Sequence, residues 1–323
     1  MRILFITSTR VGDAILSMGV LDHLIKQHPG AKITVACGPA AASLFDAIPG
    51  LQRIVVLDKM PFSLHWLRLW ALSIGTFWGA VVDLRRSPMS YVLMTRKNYR
   101  LGRGKPGVHR IRQLAEVLGL ADNPPAPKLW LSDATKTLAA ELIPDGPPVL
   151  AIGPTANWRA KTWRAEHFSE LTKRLTGADG ILPGGRIALF GRDDERPSVM
   201  GLIEDIPTDQ RIDLIGRLDL LQAAACLGRC QFYVGNDSGL MHLAAAAGIP
   251  TLGLFGPSPK VHYAPWSGKG GEGDHCAVVS TSIPYEEIFP ENFDHINSDT
   301  LMDSLSIDAA EQGARDLFQR LAP

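Results

Sequence analysis

The chain has 323 residues, 46% of them apolar and 20% charged, with a mean hydropathy of +0.04. That is too long for one small core and too apolar for disorder, so two globular domains are the prior. Thirty-three basic residues balance thirty-three acidic ones, which argues against a uniformly basic nucleic-acid binder, yet residues 1–150 carry 18 Lys/Arg against 10 Asp/Glu and residues 151–323 carry 15 against 23.

Met1 to Ile6 runs directly into strand-like sequence, without a long apolar core or a small-residue cleavage site, which reads as a cytoplasmic chain. Ile3–Thr7, Lys32–Cys37, Arg53–Leu57 and Ala80–Leu84 read as buried parallel strands, each followed by a turn and a longer amphipathic segment. Fourteen uncharged residues, Leu69 to Val82, lie between Arg68 and Asp83; a membrane span needs about twenty. Gly75 and Gly79 interrupt them, so a helix followed by the Ala80 strand is the better reading. Trp66, Trp70, Phe77 and Trp78 fit either an interfacial patch or core packing, and packing is the simpler expectation.

A second strand series follows: Val149–Gly153, Arg186–Phe190, Ile212–Ile215, Phe232–Val234 and Thr251–Phe255. Between the two series, Pro144-Asp145-Gly146-Pro147-Pro148 suits a linker and no central strand. The predicted domains are therefore 1–146 and 147–323, each a doubly wound α/β fold, with a last helix free to pack back on the first. Gly268 to Gly273 reads as a loop. Cys37, Cys226, Cys230 and Cys276 have no zinc-site spacing and read as small buried residues in a reducing compartment.

Three segments carry candidate chemistry. Ser8 to Asp13 joins the first strand to a helix starting near Asp13, with Gly12 allowing a tight turn; Asp13 is then either an N-cap or a functional carboxylate at the mouth of the sheet. The loop lacks G-x-G-x-x-G, which disfavours a nicotinamide dehydrogenase. Gly153 to Trp163 follows another strand and brings Arg159 and Lys161, either as solvated cations or as a phosphate site. Val234-Gly235-Asn236-Asp237-Ser238-Gly239 ends a strand and opens a helix, pointing free amides outward as an anion site suited to a diphosphate. His242 on that helix is either a ligand or a core histidine.

Asn236 to Thr251, continuing to Leu254-Phe255-Gly256-Pro257-Ser258, resembles the signature of the glycosyltransferase family 9 heptosyltransferases. Arg10-Val11-Gly12-Asp13-Ala14-Ile15-Leu16 resembles that family's N-terminal motif, and Lys161 with Trp163 its Lys-x-Trp element. The resemblance implies a GT-B architecture, two Rossmann-like doubly wound domains facing a central cleft. It implies an inverting, metal-independent transfer of heptose from ADP-heptose to a lipopolysaccharide inner-core acceptor, Kdo-lipid A or a core heptose. Asp13 and Lys161 would be catalytic, the first as base and the second neutralising the diphosphate. Gly12, Thr155, Asn157, Lys161, Asp193, Asp237, Ser238, Gly239 and His242 would form the donor site. No cofactor is implied, the ADP-sugar being a co-substrate. Ala156-Asn157-Trp158 departs from the family's small hydroxyl residues before the lysine, and the Gly268 to Asp274 loop is unusual.

Inversion at an anomeric carbon needs a base on the acceptor side and cations or amides on the leaving diphosphate, as these segments offer. Neither Asp-x-Asp nor a His/Asp cluster at metal spacing stands near these loops. From Leu84 to Ala115 there is no acidic residue, and nine Lys/Arg accompany His109. That run suits an anionic glycolipid at the cytoplasmic face of an inner membrane, with peripheral contact, better than it suits nucleic acid. Arg85, Arg86, Arg103 and Arg110 are the acceptor candidates. The rivals are a GT-B transferase using another sugar nucleotide, and a nonenzymatic nucleotide- or polyanion-binding protein on the same scaffold.

Overall fold

The computed structural model describes residues 1–266, 275–291, 293–294 and 298–321. The predicted loop at Gly268 to Asp274 lies outside them. The chain divides into two compact units, Met1–Ser132 and Asp133 onward.

The first unit is built from β1 (Arg2–Ile6), α1 (Val11–Gln27), β2 (Lys32–Cys37), β3 (Leu51–Val56), α2 (Leu64–Ser73), β4 (Ala80–Asp83), α3 (Met89–Val92), β5 (Asn98–Arg100) and α4 (Arg110–Ala115). Its strands form one parallel sheet in the order β3-β2-β1-β4-β5. The central strands are buried on both faces, which is why they read as unbroken apolar runs. On one face Leu4, Ile6, Val81, Leu69, Trp78 and Met89 form a core, with Trp66 and Trp70 packed against it. Of the four aromatic residues weighed as a patch, three therefore pack, and Phe77 alone is exposed.

The second unit contains α5 (Asp133–Leu142), β6 (Val149–Gly153), α6 (Ala165–Thr176), β7 (Arg186–Leu189), α7 (Met200–Asp205), β8 (Arg211–Asp213), α8 (Leu220–Leu227), β9 (Phe232–Asn236), α9 (Gly239–Ala247), β10 (Thr251–Phe255), α10 (Lys260–Tyr263), β11 (Cys276–Ser280) and α11 (Ile307–Leu321). Its parallel sheet runs β8-β7-β6-β9-β10-β11. The division falls ahead of α5 rather than near residue 146. Helix α5 packs on α8, and the proline segment is held to the second unit by Arg186, which donates to the carbonyls of Pro144 and Pro147, and by Arg229, which donates to that of Ile143. The last helix, α11, packs on α6, β10 and β11 of its own unit.

Two edge strands were not predicted. Asn98-Tyr99-Arg100 lies in the basic run and has no apolar signal, and β11 gains its place by pairing with β10 along the whole of that strand. All four cysteines are buried and none is in a disulfide; burial pushes the Cys37 thiol up to about 12 and that of Cys226 to about 11, which makes these two packing residues rather than nucleophiles. Among the described residues no helix is long and apolar enough to cross a membrane.

Candidate active site

In a doubly wound sheet ligands bind beyond the carboxyl ends of the strands, where the strand order reverses. That point lies between β1 and β4 in the first unit and between β6 and β9 in the second. The loops there hold Thr7 to Asp13 and Asp83 to Ser90 in one case, and Pro154 to Trp163 and Asp237 to Gly239 in the other.

Helix α1 begins at Val11 with Arg10 as its N-cap, so Asp13 is the third helical residue and not the cap. Gly12 lies within that first turn without a left-handed φ; the tight turn expected of it is absent. Asp13 benefits from the helix dipole at this position, and its Oδ1 accepts a hydrogen bond from Nε of Arg110 at 2.9 Å. Both side chains are largely buried, and α1 packs on α4, which carries Arg110. A residue taken from the sequence as an acceptor contact is thus the partner of the candidate base. The other acceptor candidates are dispersed. The Arg85 guanidinium lies over the Trp66 ring at 4.9 Å, and burial lowers its pKa from the usual arginine value. Arg86 is exposed in a left-handed conformation, φ 56°, and its carbonyl accepts from Arg100. Arg103 lines a concavity with Arg100, Lys105 and Glu116.

Asp83, which in the sequence only bounds the uncharged run, ends β4 with no exposure. It accepts from the Ser87 hydroxyl and the Arg85 amide, and burial raises its pKa above the ordinary carboxylate value.

In the second unit, Nζ of Lys161 donates to Oδ2 of Asp237 at 2.5 Å. Their side chains are 20% and 6% exposed, so this is a largely desolvated ion pair. The residues around it explain the local sequence. Trp163, fully buried, donates from its indole to the Leu305 carbonyl and from its backbone to Oδ1 of Asn236. Asn236 in turn donates to the Pro154 carbonyl. Asn236 thus ties the loop after β6 to the end of β9, and the Trp163 anchor two residues on leaves Lys161 facing Asp237. Ser238 is the N-cap of α9, whose first amides carry no side-chain cap, and Gly248, φ 86°, closes its far end.

The remaining donor candidates separate. Thr155 is buried and its hydroxyl meets Oε2 of Glu195 at 2.8 Å. Asn157 and Asp193 are exposed, so the carboxylate that the structure brings to the β6 loop is Glu195 rather than Asp193. The signal was present in Asp193-Asp194-Glu195: Glu195 also accepts from the Arg192 amide, three residues before it, as the third residue of a capping box does. His242 is buried on α9. Ser258, beyond β10, is buried with a hydroxyl that has no partner among the described residues. Gly153 and Gly235 admit the ring of Tyr233: a Cβ there would lie 2.0 and 2.3 Å from its hydroxyl. Burial pushes that phenol up in pKa, with the Ser238 hydroxyl acting the other way.

The profile of the family described as glycosyltransferase family 9 (heptosyltransferase) matches residues 70–271. Lipopolysaccharide heptosyltransferase 2 of Salmonella typhimurium is 28% identical over 83% of this chain and 86% of that protein. A glycosyltransferase family 9 structure from Veillonella parvula superposes with a TM-score of 0.74 at 22% identity, covering 98% of this chain and 97% of the other. The E. coli ADP-heptose lps heptosyltransferase II structure gives 0.72 at 20% identity, covering 99% of each. These likenesses agree with the two parallel-sheet α/β units of the GT-B class.

Proposed function

From the premise that this chain belongs to glycosyltransferase family 9, and is an enzyme, a heptosyltransferase, we propose that it moves heptose from ADP-heptose to an anionic inner-core lipopolysaccharide acceptor, with inversion and without a metal. The observation that carries the reading is the desolvated Lys161–Asp237 pair directly ahead of the uncapped N-terminus of α9, at the strand-order reversal of its sheet. A cation and free amides at such a point suit a leaving diphosphate. The likeness to the E. coli ADP-heptose lps heptosyltransferase II supports this donor.

In this mechanism Asp13 takes the proton from the acceptor hydroxyl. The acceptor oxygen bonds to the anomeric carbon as the carbon–diphosphate bond breaks, and its electron pair leaves with ADP. Arg110 holds the Asp13 carboxylate in one orientation through Oδ1. Lys161 and the α9 amides meet the charge on the departing diphosphate, the part a metal ion plays where protein cations are lacking. Thr155, Ser238, Gly239 and His242 belong to the donor side, with Glu195 added beside Thr155. Arg85, Arg86 and Arg103 belong to the acceptor side, where Kdo carboxylates or lipid phosphates call for cations. The setting is the cytoplasmic face of the inner membrane.

The test is titration calorimetry with ADP, UDP, GDP and NAD, repeated on Lys161→Ala, followed by transfer from ADP-heptose to a Kdo-bearing acceptor read by mass spectrometry. Selective ADP binding weakened by the substitution is the expected result. Preference for another nucleotide overturns the donor, and binding of none overturns the transfer reaction.

A further inference from the structure

The solvent face of α2 is as apolar as its buried face. His65, Leu69 and Ser73 turn inward, one turn apart, while Leu64, Leu67 and Leu72 turn outward with Arg68 among them. A helix on the surface of a globular domain ordinarily puts polar side chains on that side. The apolar surface continues beyond the helix. Ahead of it stands Phe62, 98% exposed, and both Phe62 and Ser63 are left-handed at φ 51° and 59°. Beyond it, α2 packs on α3, which exposes Tyr91, and the parallel bridge between Trp78 and Thr95 seats exposed Phe77 beside exposed Met94. Exposed apolar side chains this numerous on one stretch of the first unit mark a contact surface.

The charge along the stretch that carries these side chains is almost all of one sign, with exposed Asp58 just ahead of it. From Lys59 to Ala115 there are eleven Lys/Arg and a single acidic residue, Asp83, which is wholly buried. Arg68 lies on the outward side of α2, and Arg96 and Lys97, both exposed, follow Met94. A second copy docked face to face would set this basic rim against itself, and no acidic residue of the stretch is available to relieve it. A bilayer bearing anionic headgroups satisfies both parts: the apolar side chains enter the headgroup–acyl boundary while the guanidinium and ammonium groups meet phosphates.

We propose that this face of the first unit docks on an anionic lipid bilayer, with Phe62, Leu67 and Phe77 entering it and Arg68, Arg96 and Lys97 lying on its headgroups. The proposal deepens the membrane setting proposed above and rests on it, while needing no saccharide on the lipid.

The test is co-sedimentation of the full chain with extruded vesicles free of any glycolipid, either phosphatidylcholine alone or an equimolar mixture with phosphatidylglycerol. Wild-type protein is expected to partition onto the mixed vesicles, less as salt is raised, and poorly onto the neutral ones. Phe62→Ser with Leu67→Gln should weaken partition about tenfold or more by removing apolar insertion, and Arg96→Gln with Lys97→Gln about tenfold by removing headgroup attraction. All four side chains are exposed, so thermal midpoint and nucleotide affinity serve as controls for folding and should stay at their wild-type values. Failure of the wild-type protein to bind mixed vesicles overturns the proposal, as does undiminished binding by the Phe62/Leu67 variant. A dimer in sedimentation velocity that this variant abolishes, without vesicle binding, assigns the face to a second copy instead. Transfer to a delipidated acceptor without vesicle binding would sink the docking alone, and vesicle binding without transfer would sink the reaction alone.

Discussion

Removing Lys161 should do two things at once. The pair it makes with Asp237 has a gross attraction of about 7 kcal/mol at 2.5 Å with an effective dielectric of about 20, most of it offset by the cost of taking both groups out of water. What Lys161→Ala leaves behind is a carboxylate 6% exposed with its cation gone. Breaking a buried pair in this way costs about 3–5 kcal/mol, and because Lys161 keeps a fifth of its side-chain exposure a value just below that range, about 2–3 kcal/mol, applies here. The second effect is on the diphosphate, which loses a charge-assisted contact of about 2 kcal/mol and meets the uncompensated Asp237 instead, so ADP should bind roughly thirtyfold more weakly. Adding Asp237→Asn to the lysine variant removes the stranded charge, and stability should recover by at least about 1.5 kcal/mol. Urea unfolding followed by tryptophan fluorescence suits the measurement, since buried Trp163 lies two residues from the site. Unchanged unfolding in Lys161→Ala, within about 0.5 kcal/mol, together with unchanged ADP affinity, would return the lysine to the solvated surface and refute the donor assignment.

Asp13→Asn should abolish transfer with ADP affinity within about twofold of wild type, and Arg110→Ala should lower kcat more than it raises KM for ADP-heptose, because the proposed base loses its orientation; near wild-type turnover in Asp13→Asn excludes the residue as base. Gly153→Ala places a Cβ 2.0 Å from the Tyr233 hydroxyl and should destabilise the second unit by about 3 kcal/mol. Tyr233→Phe should restore part of that loss, and a calorimetric midpoint unmoved by Gly153→Ala would contradict the packing. Glu311 on α11 accepts from Arg315 and from Arg174 of α6, and the Arg315 guanidinium first, then Arg174, hold its carboxyl below the ordinary 4.5. A carboxyl lowered in the folded state adds stability that is full above about pH 4.5 and is lost as pH falls through the lowered value. Glu311→Gln should flatten that acid limb, and acid titration curves that superpose for the two proteins would rule the contribution out.

The candidate sites were legible wherever a single loop carried the residues. Asp237-Ser238-Gly239 could be read as an anion site because a strand, a small turn and an Ala-rich helix follow one another directly, and the charge imbalance of the basic run was visible by counting. Asp83 and Glu195 were not legible: a buried carboxylate and an exposed one look alike in sequence, and Glu195 meets Thr155 only because β6 and β7 are adjacent in the sheet. The bond of Arg110 to Asp13 was not legible for the same reason, since it spans 97 residues of chain.

By itself the sequence determined the alternation of buried strands and helices, two domains, the polarity of each half and the family, all properties of local periodicity and composition. The tertiary structure alone decided which charges are paired, where the first unit ends, and which side of α2 faces water. Those outcomes depend on strand order and helix packing, which bring together residues that no local pattern connects. The boundary moved because α5 found its partner in α8, about eighty residues further along the chain, and the outward leucines of α2 became a surface because the sheet needed only the face carrying Leu69.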